Sequence, residues 1–461
     1  MLHSERFQSL NETPERSEGR YVLYWLQQAQ RVATNHALAY ALELANERGL
    51  PLVVGFGLMD DYPEADLRHY AFMLEGLAEV ARDLEERRIR FVMRHGSPDR
   101  VAVELARDAA VVVCDRGYLR HQRAWREHVA EHAGCRVVQV ESDVVVPVEV
   151  ASDKAEFGAR TIRPKIERQL AKFLVGVALP DASTSSLDLD LERDFDPADI
   201  DGTLAKLKLD DTVGRVERFK GGASEARQRL ERFIAEKLDG YADGRNEPVA
   251  RQCSELSPYL HFGQISPLDM ALAAEDAEGV GREDRASFLE ELIVRRELAM
   301  NFVAFTDDYD SFAVLPDWAK KTMAEHAGDA REHVYGEHEL EAGETHDAYW
   351  NAAMREMRVS GYMHNYMRMY WGKKVLEWSD TPEEAYARLL RWNDRFHLDG
   401  VDPNSYAGVG WVFGLHDRPW TERPVFGNVR SMTQGGLKRK TDPDAYVRAV
   451  AAEVARLRDA P

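Results

Sequence analysis

The densest set of side chains with chemical potential lies in Gly361 to Trp378, GYMHNYMRMYWGKKVLEW. Its apolar residues recur at helical spacing and no proline interrupts them, so the stretch predicts one helix. His364, Asn365 and Arg368 sit among methionines and aromatic residues. That mixture could line a pocket for a large aromatic ligand; a buried helix with a few satisfied polar groups is the alternative. Trp371 and Trp378 are seven residues apart, two turns along one face. With Trp350 and Tyr349, Tyr366 and Tyr370 they form a set of rings that can lose one electron. Packed edge to edge, such rings could lead an electron from a buried cofactor to the surface; core packing is the plainer reading.

Three further segments carry polar groups in suggestive places. In CSELSPYLHFG, from Cys253 to Gly263, the serine hydroxyls and backbone N–H groups could hold phosphate oxygens or simply start a helix. In EELIVRRELAMNF, from Glu290 to Phe302, Glu291, Arg295 and Leu298 fall at i, i+4 and i+7 on one helical face. If buried, that carboxylate and guanidinium need partners; if exposed, they form an ordinary ion pair. The stretch RWNDRFHLDGVDPNSYAGVGW, from Arg391 to Trp411, is dense in Asn, Asp, Gly and Pro and predicts a structured loop. Trp411 follows the flexible AGVG and could offer a flat ring to a substrate. No Ser–His–Asp order, Walker motif or H-E-x-x-H is present, so neither conventional hydrolysis nor metal chemistry is expected.

These segments need a scaffold, and the chain supplies two kinds. Apolar runs at 21–26, 52–58, 89–93, 110–114 and 136–141 alternate with amphipathic stretches at 31–48, 67–87, 99–108 and 122–133. That alternation predicts a Rossmann-like α/β domain with a parallel sheet over residues 21–175, preceded by a polar extension at 1–20. It lacks G-x-G-x-x-G between strand and helix, which argues against a dehydrogenase-type dinucleotide site. Residues 176–223 are rich in Ser and Asp and predict an interdomain linker. From 224 to 461 helical patterns dominate, predicting an all-α domain, and seven of the nine Trp lie at or after residue 318.

Composition narrows the setting. No apolar run is long enough for a membrane span, and the three cysteines are far apart, so a reduced cytoplasmic setting and a monomer are expected. A net charge of −20 taken alone argues against a nucleic-acid partner. Yet residues 411–440 carry six Lys and Arg against Asp417 and Glu422, so a basic C-terminal face could still hold DNA.

Taken together and in this order, the motifs resemble the photolyase/cryptochrome family. YVLYWLQQAQRVATNHAL, FKGGASEARQRLERFI, LPDWA at Leu315–Ala319 and YWGKKVLEW are similar to its class II cyclobutane pyrimidine dimer photolyases. The resemblance covers nearly the whole chain. It implies light-driven repair of UV-damaged DNA, in which reduced, light-excited FAD lends an electron to a flipped-out dimer. It assigns Tyr241, Ser254, Leu256 and Ser257 to the flavin phosphates and ribityl chain, and Arg295 and Asn365 to the same pocket. It places the Arg368–Asp399 pair beside the isoalloxazine and Asn393 near its N5. Glu291 would hydrogen-bond the lesion, with Met369 and Trp411 on the substrate side. Arg418, Arg423, Arg430 and Lys438 would hold phosphates. Electrons would run through Trp371, Trp350 and Trp378, in that order from the flavin outward. The other classes commonly carry Trp where Val294 stands, so that contact must come from elsewhere here. An antenna chromophore such as a deazaflavin is compatible with the α/β domain and undecided by any residue. The alternative is a cryptochrome-like photoreceptor without repair. The retained Glu291 and Trp411, and a chain that ends soon after its final helix, favour repair. An enzyme for (6-4) lesions would want an active-site histidine; His364 is available, but the class II features point to the cyclobutane dimer.

Overall fold

In the computed structural model, which describes residues 2–458, six strands form one sheet. They are β1 Phe7–Ser9, β2 Tyr21–Trp25, β3 Leu52–Leu58, β4 Arg90–His95, β5 Ala109–Asp115 and β6 Arg136–Val140, in the order β1-β6-β5-β2-β3-β4. Every residue of β2, β3 and β5 is buried. Helices cover both faces, which is why these strands read as continuous apolar runs rather than alternating ones. The helices His36–Arg48, Leu67–Glu86, Pro98–Ala106 and Arg120–His132 make the crossovers.

Several expectations are corrected. The 1–20 extension contributes β1, which pairs antiparallel with β6, so the sheet is parallel except at that edge. The first long helix begins at His36 rather than residue 31, because the Asn35 side chain caps it by accepting from the Leu38 N–H at 2.9 Å. The segment 176–223 contains a helix, Ile200–Lys206, and buries Phe195, Leu204 and Leu207 on the core of the sheet domain. A helix at Ala159–Phe173, also unforeseen, packs Ile162, Ile166 and Phe173 into a core shared with Leu230, Phe233 and Ile293 of the helical half.

In that helical half, the helix expected from Gly361 begins at Asn365. Gly361, at φ +66°, ends the preceding helix Ala348–Ser360, and the His364 ring caps the next by accepting from Tyr366 N–H. The predicted loop over 391–411 is largely helical. Pro382–Phe396 runs through Asn393, a turn follows, and Pro403–Val412 carries Trp411 on its last turn, with AGVG inside the helix. Asp402 at the N-cap and Pro403 at the first turn start that helix, and a Cβ on Gly410 would meet the Leu415 side chain at 2.6 Å.

The two halves meet through buried polar groups. Arg31 donates to the Gly263 carbonyl at 2.9 Å, Arg68 to those of Phe396 and Arg358, and Arg296 pairs with Asp143 at 3.0 Å. Glu297 accepts from the Val145 and Val146 N–H groups. Among the described residues, no helix is long and apolar enough to cross a membrane.

Candidate active site

The loop from Arg251 to Ser257 has an unusual backbone. Arg251 at φ +50° and Glu255 at φ +56° are both left-handed without being glycine. Leu256 follows at φ −98°, ψ 2°. Alternation of left- and right-handed residues turns successive N–H groups to one side, a concavity that binds anions. The N–H groups of Cys253 to Ser257 accordingly donate to no acceptor among the described residues. Ser254 and Ser257 are half-buried on the loop, and Leu256 is buried beneath it. Tyr241 lies buried nearby, its ring edge-on to Phe288 at 5.5 Å and the Arg245 guanidinium 5.9 Å from its centroid.

The helix Asn365–Trp378 supplies the next groups. Arg368 forms an ion pair with Asp399 at 2.8 and 3.0 Å. Burial raises the Asp399 carboxyl, but the Arg368 guanidinium outweighs it and holds the group at about 2, so it is ionised. Asn393 donates to the Asp394 carboxylate at 3.1 Å, and its amide oxygen makes no hydrogen bond among the described residues. His397 is fully buried, burial keeps it neutral, and both ring nitrogens lack partners among the described residues. Trp371, edge-on to His397 at 6.5 Å, also has an unpartnered indole N–H. These nitrogens have essentially no accessible surface, so they face packed protein rather than an opening.

The tryptophans form a connected set. Trp350 donates through Nε1 to the Trp371 carbonyl at 3.1 Å, and its ring packs on Trp378 at 5.5 Å and 65°. Trp371 touches a further ring, Trp392, at 6.2 Å. Trp378, the outermost of the three in the order given by the resemblance, is 2% exposed. Tyr335 at 5.3 Å and His346 at 5.4 Å cover it and continue to the exterior.

On the rim, the expected face shared by Glu291 and Arg295 does not form. Residues Glu290–Arg295 make a π-helical turn, whose repeat brings residues five apart together. Arg295 therefore pairs with Glu290 at 3.1 Å, while Glu291 pairs with Arg245 at 2.8 Å. Arg295 also lies 5.5 Å from the Trp411 ring centroid. Met369 is half-buried and Asn365 exposed, both on the first turns of their helix. Of the four basic residues expected to hold phosphates, Arg418 and Arg430 come together on the exposed Trp420 ring, at 5.3 and 4.9 Å. Arg423 is exposed with its backbone paired to Gly427, and Lys438 lies apart, 5.4 Å from the Tyr349 ring. Sequence reasoning passed over Trp420; an aromatic between two arginines in a basic stretch was the available signal. His364 is turned toward Cys253 Sγ at 3.6 Å and is kept neutral by burial, at about 4.

A separate cavity lies at the carboxyl ends of β2 and β3, where the strand order reverses between β2 and β5. Gln28, Tyr62, Gln122 and Trp125 line it from the sheet domain, and His261 and Asp402 close it from the helical half.

An open anion loop, a fixed Arg368–Asp399 pair and the amide of Asn393 fit a flavin dinucleotide. The family model described as DNA photolyase matches residues 22–184. The deoxyribodipyrimidine photo-lyase of Methanothermobacter thermautotrophicus is 49% identical over 97% of this chain and 98% of its own length. That of Potorous tridactylus is 40% identical over 93% of this chain and 81% of its own. A solved archaeal photolyase from Sulfolobus tokodaii, described with two FAD molecules, superposes with a TM-score of 0.69 at 17% identity, covering 95% of this chain and 91% of that one. Such identity over nearly the full length of both chains places the relationship beyond a shared fold: this chain belongs to the DNA photolyase family.

Proposed function

We propose that the protein is a light-driven lyase that splits cyclobutane pyrimidine dimers in DNA, of the class II type, using FAD. The observation that carries the reading is the Cys253–Ser257 loop, whose N–H groups find no acceptor among the described residues, with the Arg368–Asp399 pair beside its Ser257 hydroxyl. Tyr241, Ser254, Leu256 and Ser257 would hold the diphosphate and ribityl chain, and Arg368, Asn393 and Asp399 the isoalloxazine. Held there in reduced form, FAD would supply a light-excited electron to the cyclobutane dimer and accept it back.

The chain's own residues do the rest. A dimer inside a duplex cannot reach a buried pocket, so the lesion must be turned out of the stack, at a cost of a few kcal/mol that damaged pairing reduces. Arg418 and Arg430 offer charge to the surrounding phosphates, and the Trp420 ring between them offers a stacking face beside the opened pair. Trp411, with Arg295 beside it, gives the extruded lesion a second flat wall. Glu291, steadied by Arg245, can accept a hydrogen bond from a ring N–H of the extruded pyrimidine and so orient the lesion. The neutral His397 and the apolar surroundings exclude water. Trp371, Trp350 and Trp378 form the route by which an oxidised cofactor is returned to its reduced form. The α/β cavity beside Tyr62 and Trp125 is the place for an antenna chromophore, whose identity its mixed polar lining leaves open.

The flavin assignment is tested by releasing the bound cofactor from purified protein by heat. FAD in near-equal amount to protein is expected. A colourless protein that also fails to take up added FAD refutes the reading.

A further inference from the structure

The two left-handed residues that bracket the anion loop are four apart, and both are charged. Non-glycine residues avoid that conformation, so something must hold them there. Their side chains run into one ion cluster. Glu255 pairs with Arg218 at 2.9 Å and lies 3.8 Å from Arg229. Arg251 pairs with Glu453 at 3.1 Å, and Glu453 reaches the same Arg218 at 3.2 Å. Glu356 completes the ring of carboxylates around Arg218 at 3.4 Å and accepts from Tyr446 at 2.6 Å. The Arg218 side chain is 8% exposed and lies 4.6 Å from the Tyr362 ring. One guanidinium, supplied by the 176–223 segment, thus joins the loop to the helix Ala348–Ser360 and to the last helix, Pro443–Arg458.

An acidic side chain on an anion-binding loop is otherwise hard to account for, since its charge opposes phosphate. Here the carboxylate is turned away from the loop's open N–H groups and spent on two arginines. We propose that Arg251 and Glu255 are positioning residues for the cofactor diphosphate, and that the Arg218–Glu453 cluster holds the loop in the shape that binds it. The inference rests on the flavin reading above and adds residues outside the pocket to it. When the Glu255 anchor is removed, the loop relaxes from the left-handed conformation, and ligand binding must restore it. A conformational cost of that size weakens affinity by about tenfold. Glycine holds a positive φ without an anchor, so it should bind nearly as the native chain does.

The Glu255→Ala and Glu255→Gly variants separate these roles. Neither leaves a charge stranded, because Arg218, Arg229 and Arg251 keep Glu356, Glu225 and Glu453 as partners. The measurement is titration of cofactor-free full-length protein with FAD and with ADP, which carries the diphosphate alone, beside a melting curve of each variant. Expected are about tenfold weaker binding of both ligands by Glu255→Ala, affinity close to wild type for Glu255→Gly, and similar melting curves for the two. Unchanged affinity in Glu255→Ala overturns the inference, as does a Glu255→Gly variant as weak as Glu255→Ala. Wild-type protein that binds neither ligand would instead overturn the flavin reading and this inference with it.

Discussion

Replacing Trp371 with Phe separates electron supply from repair, because the structure makes it a mild change. The indole is 3% exposed and its Nε1 donates to nothing. Phe therefore removes ring volume and no hydrogen bond, costing about 1–2 kcal/mol, well below the 3–5 kcal/mol of full aromatic truncation. Trp350→Phe also loses the 3.1 Å bond to the Trp371 carbonyl, which adds about 1 kcal/mol. Against a typical stability of about 5–15 kcal/mol, both variants stay folded. The assay loads each with FAD, illuminates it with a thiol reductant and follows the loss of oxidised-flavin absorbance. A second sample is reduced chemically and given dimer-containing DNA in light. Trp371→Phe should lose photoreduction and keep repair by the pre-reduced protein. Photoreduction at the wild-type rate would refute the route. Loss of repair with FAD still bound would show that the ring serves the pocket itself.

Other expectations concern the neighbours. Trp392→Phe should keep photoreduction, because Trp350 and Trp378 lie on the other branch from Trp371; its loss would put Trp392 on the route. Glu291→Ala should lower the repair yield per absorbed photon more than DNA affinity, and equal loss of both would leave it a binding role only. Trp420→Ala should weaken binding to lesion-containing duplex by about 1–3 kcal/mol in gel-shift titrations, with no change in FAD content; wild-type affinity would remove the ring from the DNA surface. Burial pushes the Glu297 carboxyl up to about 8, so the folded chain holds a proton there that the unfolded chain releases near its ordinary value of 4.5. Wild-type stability should therefore fall relative to Glu297→Gln as pH rises from about 5 through 8, read from denaturant midpoints. Parallel pH profiles would contradict that burial effect.

The parts that were legible in the sequence are those with local causes. β2, β3 and β5 are buried on both sides and so stand out as unbroken apolar runs. β1 does not, because Phe7–Ser9 is short and half exposed at a sheet edge. The helix Pro403–Val412 was masked by Gly408 and Gly410, although Asp402–Pro403 is a start signal; Gly410 is there to let Leu415 approach. The π-helical turn at Glu290–Arg295 changes which charges meet without changing composition, so the i, i+4 pairing of Glu291 with Arg295 gave way to two other pairs. Arg368 and Asp399 form an ion pair across 31 residues, a pairing that only the family resemblance, and no spacing rule, could suggest. The Arg218 cluster joins residues up to 235 positions apart, and no spacing rule reaches that far.

The central claim is tested most directly by giving chemically reduced, FAD-loaded protein two matched oligonucleotides. One carries a single cyclobutane thymine dimer and the other a (6-4) lesion, each in blue light and in darkness. The account predicts loss of the cyclobutane dimer only, and only in light. An intact dimer after illumination of bound, reduced protein would contradict it, as would repair of the (6-4) lesion in its place.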